Sequence, residues 1–275
     1  MIKKIMSSLV AILILNPAPV LAGPYAPAAG TSGSTAIQMN DSSIQAWATG
    51  VADYSPGTNL DPQWMDTTQA LGQAEGTSGD IVSLGRGGSI TLTFDNPIFN
   101  GDGYDFAIFE NSFSDTFLEL AWVDVSTDGF NFFRIPGFSL TPDPVGSFGA
   151  MDATNIDGLA GKYRQGYGTP FDLGIFDGIN GIDVNNVNFI RLTDIIGDGS
   201  EFDYFPSTVT IDGVIHNTGG PNPIYDPTPT SGSAGFDLDA IGVMHTTVVP
   251  LPASAWLFVS GLIGLAAVRR RKNTL

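Results

Sequence analysis

Apolar and polar residues alternate with a period of two in several short stretches of the chain. In "GGSITLTFDNPI", Ile90, Leu92 and Phe94 face one way and Ser89, Thr91 and Thr93 the other, the pattern of a strand with one buried face. In "YDFAIFEN", Phe106, Ile108 and Glu110 share one face and Asp105, Ala107 and Phe109 the other. Both faces are largely apolar, so this strand is expected in the middle of a two-layer sandwich. "FLELAWVDVSTDGFNFFRIP" predicts a hairpin: a strand through Val125, a turn at Asp128-Gly129 where glycine supplies a positive φ, and a return strand from Phe132 to Ile135. "NNVNFIRLTDI" and "AGFDLDAIGVMH" add two strands, the second closing the domain. From Ile44 to Gly72 no period is sustained, and this stretch is expected as irregular cover for a sheet edge. No repeat of fixed length occurs.

The two ends break the pattern. "MIKKIMSSLVAILILNPAPVLAG" places Lys3 and Lys4 before an apolar run from Leu9 to Leu15, with Val20 and Ala22 at small-residue positions. Charge, apolar run and cleavage site in that order predict a secretory signal peptide over 1–22, cut between Ala22 and Gly23. Residues 23–43, rich in Gly, Ala, Ser and Thr, are expected as a flexible leader. At the other end, "VPLPASAWLFVSGLIGLAAVRRRK" runs uncharged from Ala255 to Val268 and stops at Arg269, Arg270, Arg271 and Lys272. Counted from Pro250 the uncharged stretch has 19 residues, close to the roughly 20 that span a bilayer as a helix. Pro252 suits the opening turn, and the four cations are expected to stay on the cytoplasmic side. The segment 248–275 is thus expected to hold the chain in the inner membrane, leaving a body, 44–247, outside the cytoplasm.

Composition sharpens the picture of that body. The 275 residues include 34 Gly, 18 Pro and 18 Phe but only 14% charged residues, which favours short strands and turns over long helices. All 28 acids lie between Asp41 and Asp239, a stretch with five cations: Arg86, Arg134, Lys162, Arg164 and Arg191. So acidic a surface repels nucleic acid and attracts multivalent cations. There is no cysteine, which removes disulfides and thiolate chemistry.

Two resemblances follow from these residues. The tail, with Val249-Pro250-Leu251-Pro252, then the apolar run, then the arginines, resembles the PEP-CTERM sorting signal of Gram-negative bacteria. That resemblance implies processing by signal peptidase at Ala22 and Gly23, then by an exosortase near Pro250, Leu251 and Pro252, and a destination at the cell surface or beyond. The phrases "GGSITLTFDNPI", "YDFAIFEN", "VDVSTDGFNFFRI", "FIRLTDIIGDG" and "GFDLDAIGV" are similar to galactose-binding-like, discoidin-type jelly-roll domains. That resemblance implies an all-β, jelly-roll-like antiparallel β-sandwich, sugar binding at loops on one rim, and a structural calcium ion.

Candidate chemistry is sparse. The two histidines, His216 and His245, have no nucleophile pattern around them and are read as surface or linker residues. Zinc is disfavoured without Cys, whereas Ca²⁺ takes oxygen ligands that this chain has in plenty. "TDIIGDGSEFD" offers Asp194, Asp198, Glu201 and Asp203, and "NGDGYD" offers Asn100, Asp102 and Asp105. Asp237 and Asp239 share the alternation of Ile241 and Val243, so unless a bulge intervenes one carboxylate, Asp239, is expected to point inward with Arg191 or Ca²⁺ as its partner, the alternative being an edge strand with both acids in water. Asp194, Asp198, Asp203 and Asp239 are the metal candidates. "GRGGS" enters a strand rather than a helix and is a poor phosphate loop. Trp122, Tyr163, Tyr167 and Tyr204 are sugar-stacking candidates, with packing as the commoner role. The sequence therefore points to a non-catalytic exported surface or matrix protein that associates with extracellular polysaccharide. The alternatives are a secreted carbohydrate-active enzyme, which requires a cleft with two facing carboxylates of perturbed acidity, and a purely structural matrix protein.

Overall fold

The computed structural model describes residues 22–206, 208–211, 214–217 and 220–247, with side chains outside 207–219. The signal segment up to residue 21, Pro250, Leu251, Pro252, the apolar tail and its cations Arg269, Arg270, Arg271 and Lys272 lie outside the described residues. Among the described residues no helix is long and apolar enough to cross a membrane.

The chain is built from short strands: β1 (Ile37–Gln38), β2 (Ala46–Trp47), β3 (Gly50–Ser55), β4 (Val82–Ser83), β5 (Ser89–Ile98), β6 (Phe106–Glu110), β7 (Ala121–Ser126), β8 (Phe133–Arg134), β9 (Phe138–Ser139), β10 (Ile156–Asp157), β11 (Tyr167–Phe171), β12 (Val187–Asp194), β13 (Asp198–Phe202), β14 (Thr208–Ile211), β15 (Val214–Asn217), β16 (Pro223–Tyr225) and β17 (Asp237–Val243). Four short 3₁₀ turns are the only helical elements among the described residues. Two antiparallel sheets carry the fold. One has the order β1-β11-β6-β17-β2, with β4 also pairing β17, and the other runs β3-β5-β12-β7-β8.

The alternation read from the sequence produces the packing between them. Ile90 and Leu92 of β5, Val123 and Val125 of β7, and Ile190 and Leu192 of β12 form one wall of the main core. Phe106 and Ile108 of β6 with Leu238, Ile241 and Val243 of β17 form the other. As expected, β6 is buried on both faces and sits between two partners, β11 and β17. Its outer residues Ala107 and Phe109 pack under Ile37, Met39, Ile44 and Trp47. The hairpin also forms as expected: β7 pairs β8, Gly129 has φ +78°, and the Asp128 carboxylate accepts from the Phe130 and Asn131 amides.

Two stretches differ from expectation. Residues 23–43, expected as a loose leader, pack against the body. Tyr25 donates its amide to Thr154 and stacks on Phe138, the Thr35 and Tyr163 hydroxyls meet at 2.8 Å, and β1 adds to β11. The covering of Phe109 explains this: Ile37 and Met39 of the segment pack over the outer face of the sheet. Within 44–72, expected as irregular, β3 forms a six-residue edge strand paired to β5. Its residues are half-buried or exposed, so no apolar alternation marked it.

Candidate functional site

Strand direction gathers carboxylates at one end of the sandwich. β6 ends at Glu110 exactly where its antiparallel partner β17 begins, with Leu238 opposite Glu110. β12 ends at Asp194 opposite Ala121, the first residue of β7, and Glu119 lies two residues before it. Asp226 closes the group, accepting the Leu120 amide at 3.0 Å. Glu110, Glu119, Asp194, Asp226 and Asp237 are all buried.

Burial disfavours the charged form of each. It raises Asp194 to about 7 despite amide hydrogen bonds from Gly87 and Phe236, with Glu201 and Asp237 adding repulsion. It likewise raises Asp237 to about 7, against the opposing influence of Ser83, Ser233 and Asn111. Burial lifts Glu110 and Glu119 well above the usual carboxylate range, and Asp237 repels both. Asp226 is lifted for the same first reason, with Asp194 repelling it.

This end opens into a cleft of about 370 Å³ with Glu119 and Asp237 among its lining residues. Its rim is aromatic. Phe113 stacks on Phe117 at 4.6 Å and Phe117 on Phe148 at 6.1 Å, while Trp64 also lines the cleft. Phe113 is 62% and Phe148 84% exposed, so both offer ring faces to solvent. Such faces are costly to hydrate and suit a partner with an apolar side. A second, shallower groove of about 410 Å³ crosses the outer face of the five-stranded sheet beside Arg191, Asp53 and Phe130.

The four metal candidates read from the sequence do not converge. Asp194 belongs to the acidic end, but its oxygens already accept the Gly87 and Phe236 amides, both at 2.7 Å. Asp198 pairs with Arg86 at 2.6 Å on the surface. Asp203 accepts the amides of Ser139, Phe205 and Asn222 and the Asn222 side chain, tying three segments together. Asp239 is turned off the inner face by a bulge, because Leu238 pairs with Glu110 but Ala240 with Phe109. Its carboxylate accepts the Glu75 and Gly76 amides at 3.0 and 2.9 Å. Arg191 is therefore not its partner. Arg191 and Arg134 both bind Asp124 in the other sheet, at 3.3 and 3.0 Å. Among the described residues no group of three or more His, Cys, Asp or Glu stands ready to hold a metal ion.

Other candidates are also absorbed into structure. Glu201 takes the Trp122 indole and the Ile196 amide. Asp105 is wholly buried and accepts from Gly101, Leu173 and the His245 ring, so His245 is a lock between segments rather than a linker residue. His216 lies in β15, whose side chains are not described. Trp122 and Tyr163 are core residues, Tyr167 lies under Arg164 at 4.5 Å, and Tyr204 is half exposed with its edge to Trp122. Gly85 and Gly87, the first glycines of "GRGGS", both have positive φ, and the Gly87 amide serves Asp194 instead of a phosphate.

The sequence reading placed Asp237 only on the strand face of Asp239, and passed over Glu119 and the Phe113/Phe148 rim. "FLEL" and "FDLD" look like strand residues, and because β7 and β17 lie in different sheets only the packing of the two sheets shows that they meet. The run "ENSFSDTF" did carry a signal, since two phenylalanines among turn residues have no strand face to occupy. No protein-family model matches the chain, and no curated protein matches it.

Proposed function

We propose that this chain is an exported, non-catalytic surface or matrix protein, and that its jelly-roll-like sandwich binds extracellular polysaccharide in the cleft at the acidic end. Export rests on the signal-like segment 1–22, and retention followed by exosortase release on the PEP-CTERM-like segment 248–275. Signal peptidase, an exosortase and the inner membrane are then its processing partners. The acid excess argues against nucleic acid.

The observation that supports sugar binding is the exposed pair Phe113 and Phe148 over a floor of hydrogen-bonding groups. Sugar rings present apolar C–H faces to aromatic rings and hydroxyls to polar floors, which is how concave sites of this composition select ligands. One further observation favours the enzyme reading: Glu119 and Asp237 share the floor, and burial raises the pKa of both, as it does for a general acid.

Glycan-array binding of the full chain tests the proposal. Phe148→Ala is expected to weaken a bound glycan about tenfold, equivalent to about 1.4 kcal/mol. Absence of binding to any array glycan refutes it. Release of reducing ends from a bound glycan, abolished by Glu119→Gln, establishes the enzyme reading in its place.

A further inference from the structure

The acidic end contains more buried carboxylate than the protein neutralises. Glu110 is 1% and Asp237 3% exposed, and each leaves one oxygen, Glu110 Oε1 and Asp237 Oδ1, with no hydrogen-bond partner. The five body cations are ion-paired elsewhere: Arg86 with Asp198, Arg134 and Arg191 with Asp124, Arg164 with Asp115, and Lys162 with Asp157. A buried carboxylate oxygen without a partner is unfavourable whether or not the group is ionised. Ionised, it lacks a countercharge; protonated, it lacks an acceptor for its hydrogen. Asp237 and Glu119 also line the open cleft, where a ligand from solvent reaches them.

We propose that a divalent cation of the calcium class binds on the floor of this cleft, held by Asp237 and Glu119 with Glu110 behind them, and with the side-chain oxygens of Asn111 and Ser233 beside it. Among the described residues no three acids form a ready cage, and the cleft lining holds no Cys or His for zinc-type coordination. Calcium does not require such a cage, because neutral oxygens and water complete its six to eight ligands at flexible geometry. Magnesium fits less well, since it demands near-octahedral geometry and gives up water reluctantly. The positions facing the opening remain for water or for a vicinal diol of a sugar lying against Phe113 and Phe148. That last step rests on the carbohydrate-binding proposal.

The test uses the full chain, stripped with chelator and titrated at neutral pH with CaCl₂, with MgCl₂, and with Tb³⁺ as a luminescent substitute, all without glycan. One calcium ion per chain is expected, with a dissociation constant of about 10⁻³ M or tighter. Glu119→Gln and Asp237→Asn should each weaken it at least about tenfold, while Asp198→Asn, at the surface pair, leaves it unchanged. Circular dichroism confirms folding of each variant, and Glu119→Gln carries the test if Asp237→Asn does not fold. Trp64 lines the cleft, so Trp64→Phe should cut sensitised Tb³⁺ emission without changing calcium affinity. No uptake at about ten times that concentration, or uptake indifferent to both acid variants and to Trp64→Phe, overturns the proposal. Calcium uptake without glycan binding leaves the ion site standing and removes only the sugar. Glycan binding indifferent to chelator, with no uptake, does the reverse.

Discussion

Replacing Asp239 by alanine removes the carboxylate that anchors the 73–76 segment to β17. Asp239 is 2% exposed, and its two oxygens receive the Glu75 and Gly76 amides at 3.0 and 2.9 Å. The alanine variant orphans both donors in the 73–76 segment, whose Ala74 packs on Phe109 and Met244 over the outer face of the sheet. A buried donor left unmade costs about 1–3 kcal/mol, so for these two part-buried amides the gross loss is at most about 2–6 kcal/mol. Part of this is offset, because burial raises the Asp239 pKa against its amide hydrogen bonds and the ionised carboxylate is itself held at a cost. The net expectation is about 2–3 kcal/mol, a fall in Tm of about 5–10 °C for a domain of this size. Asp239→Asn keeps one acceptor and should lose about half as much. Scanning calorimetry of both variants at pH 7 measures the effect, and hydrogen exchange should show the Glu75 and Gly76 amides losing protection first. An alanine variant melting within about 1 °C of the parent refutes the reasoning, because it would mean that these amides find other partners at no cost.

The buried acids predict an inverted pH response. Asp194 has a folded pKa of about 7 against about 3.9 unfolded. The folded state therefore holds the extra proton between those values, and stability is fully present below the unfolded pKa and lost as pH rises toward 7. Lowering pH from 7 to 5 in chelator should stabilise the protein by about 2 kcal/mol from this group alone, and a Tm that falls over that interval contradicts the assignment. Acids with lowered values, such as Asp128 and Asp198, titrate below this window and do not mask it. Lys162 is 2% exposed, its Nζ has no hydrogen-bond partner, and Asp157 lies 4.0 Å away. Burial draws its pKa down to about 8. Lys162→Met keeps the packing and removes the desolvated amine, so a gain of about 1 kcal/mol is expected by denaturant titration, and a loss of stability would show that the contacts of the amine with Asp157 and the Tyr163 ring outweigh the cost of burying it.

Most strands of the two main sheets were legible from the chain, because a period of two or a short apolar run needs only neighbours to be seen. β5, β6, the β7–β8 hairpin and β12 fall where their alternation puts them. β3 was not legible, since an edge strand with two half-hydrated faces leaves no periodic trace. The leader was misread for a related reason: small residues at 23–43 signal freedom locally, but two apolar residues among them, Ile37 and Met39, find the outer face of the sheet beside Phe109.

Asp239 marks the boundary most clearly. Its burial, and its need for a partner, follow from a carboxylate placed among apolar strand residues. Which partner it took followed from a single bulge, and a bulge is a property of two paired strands rather than of either one. The same holds for the acidic end. Each of Glu110, Glu119 and Asp237 sits in an ordinary strand-like sequence, and nothing local says that β6 will pair with β17 and that the sheet carrying β7 will pack against them at the same end. Local periodicity determined the all-β class and the inner faces of its strands; register and sheet order, set by long-range pairing, decided which charges meet.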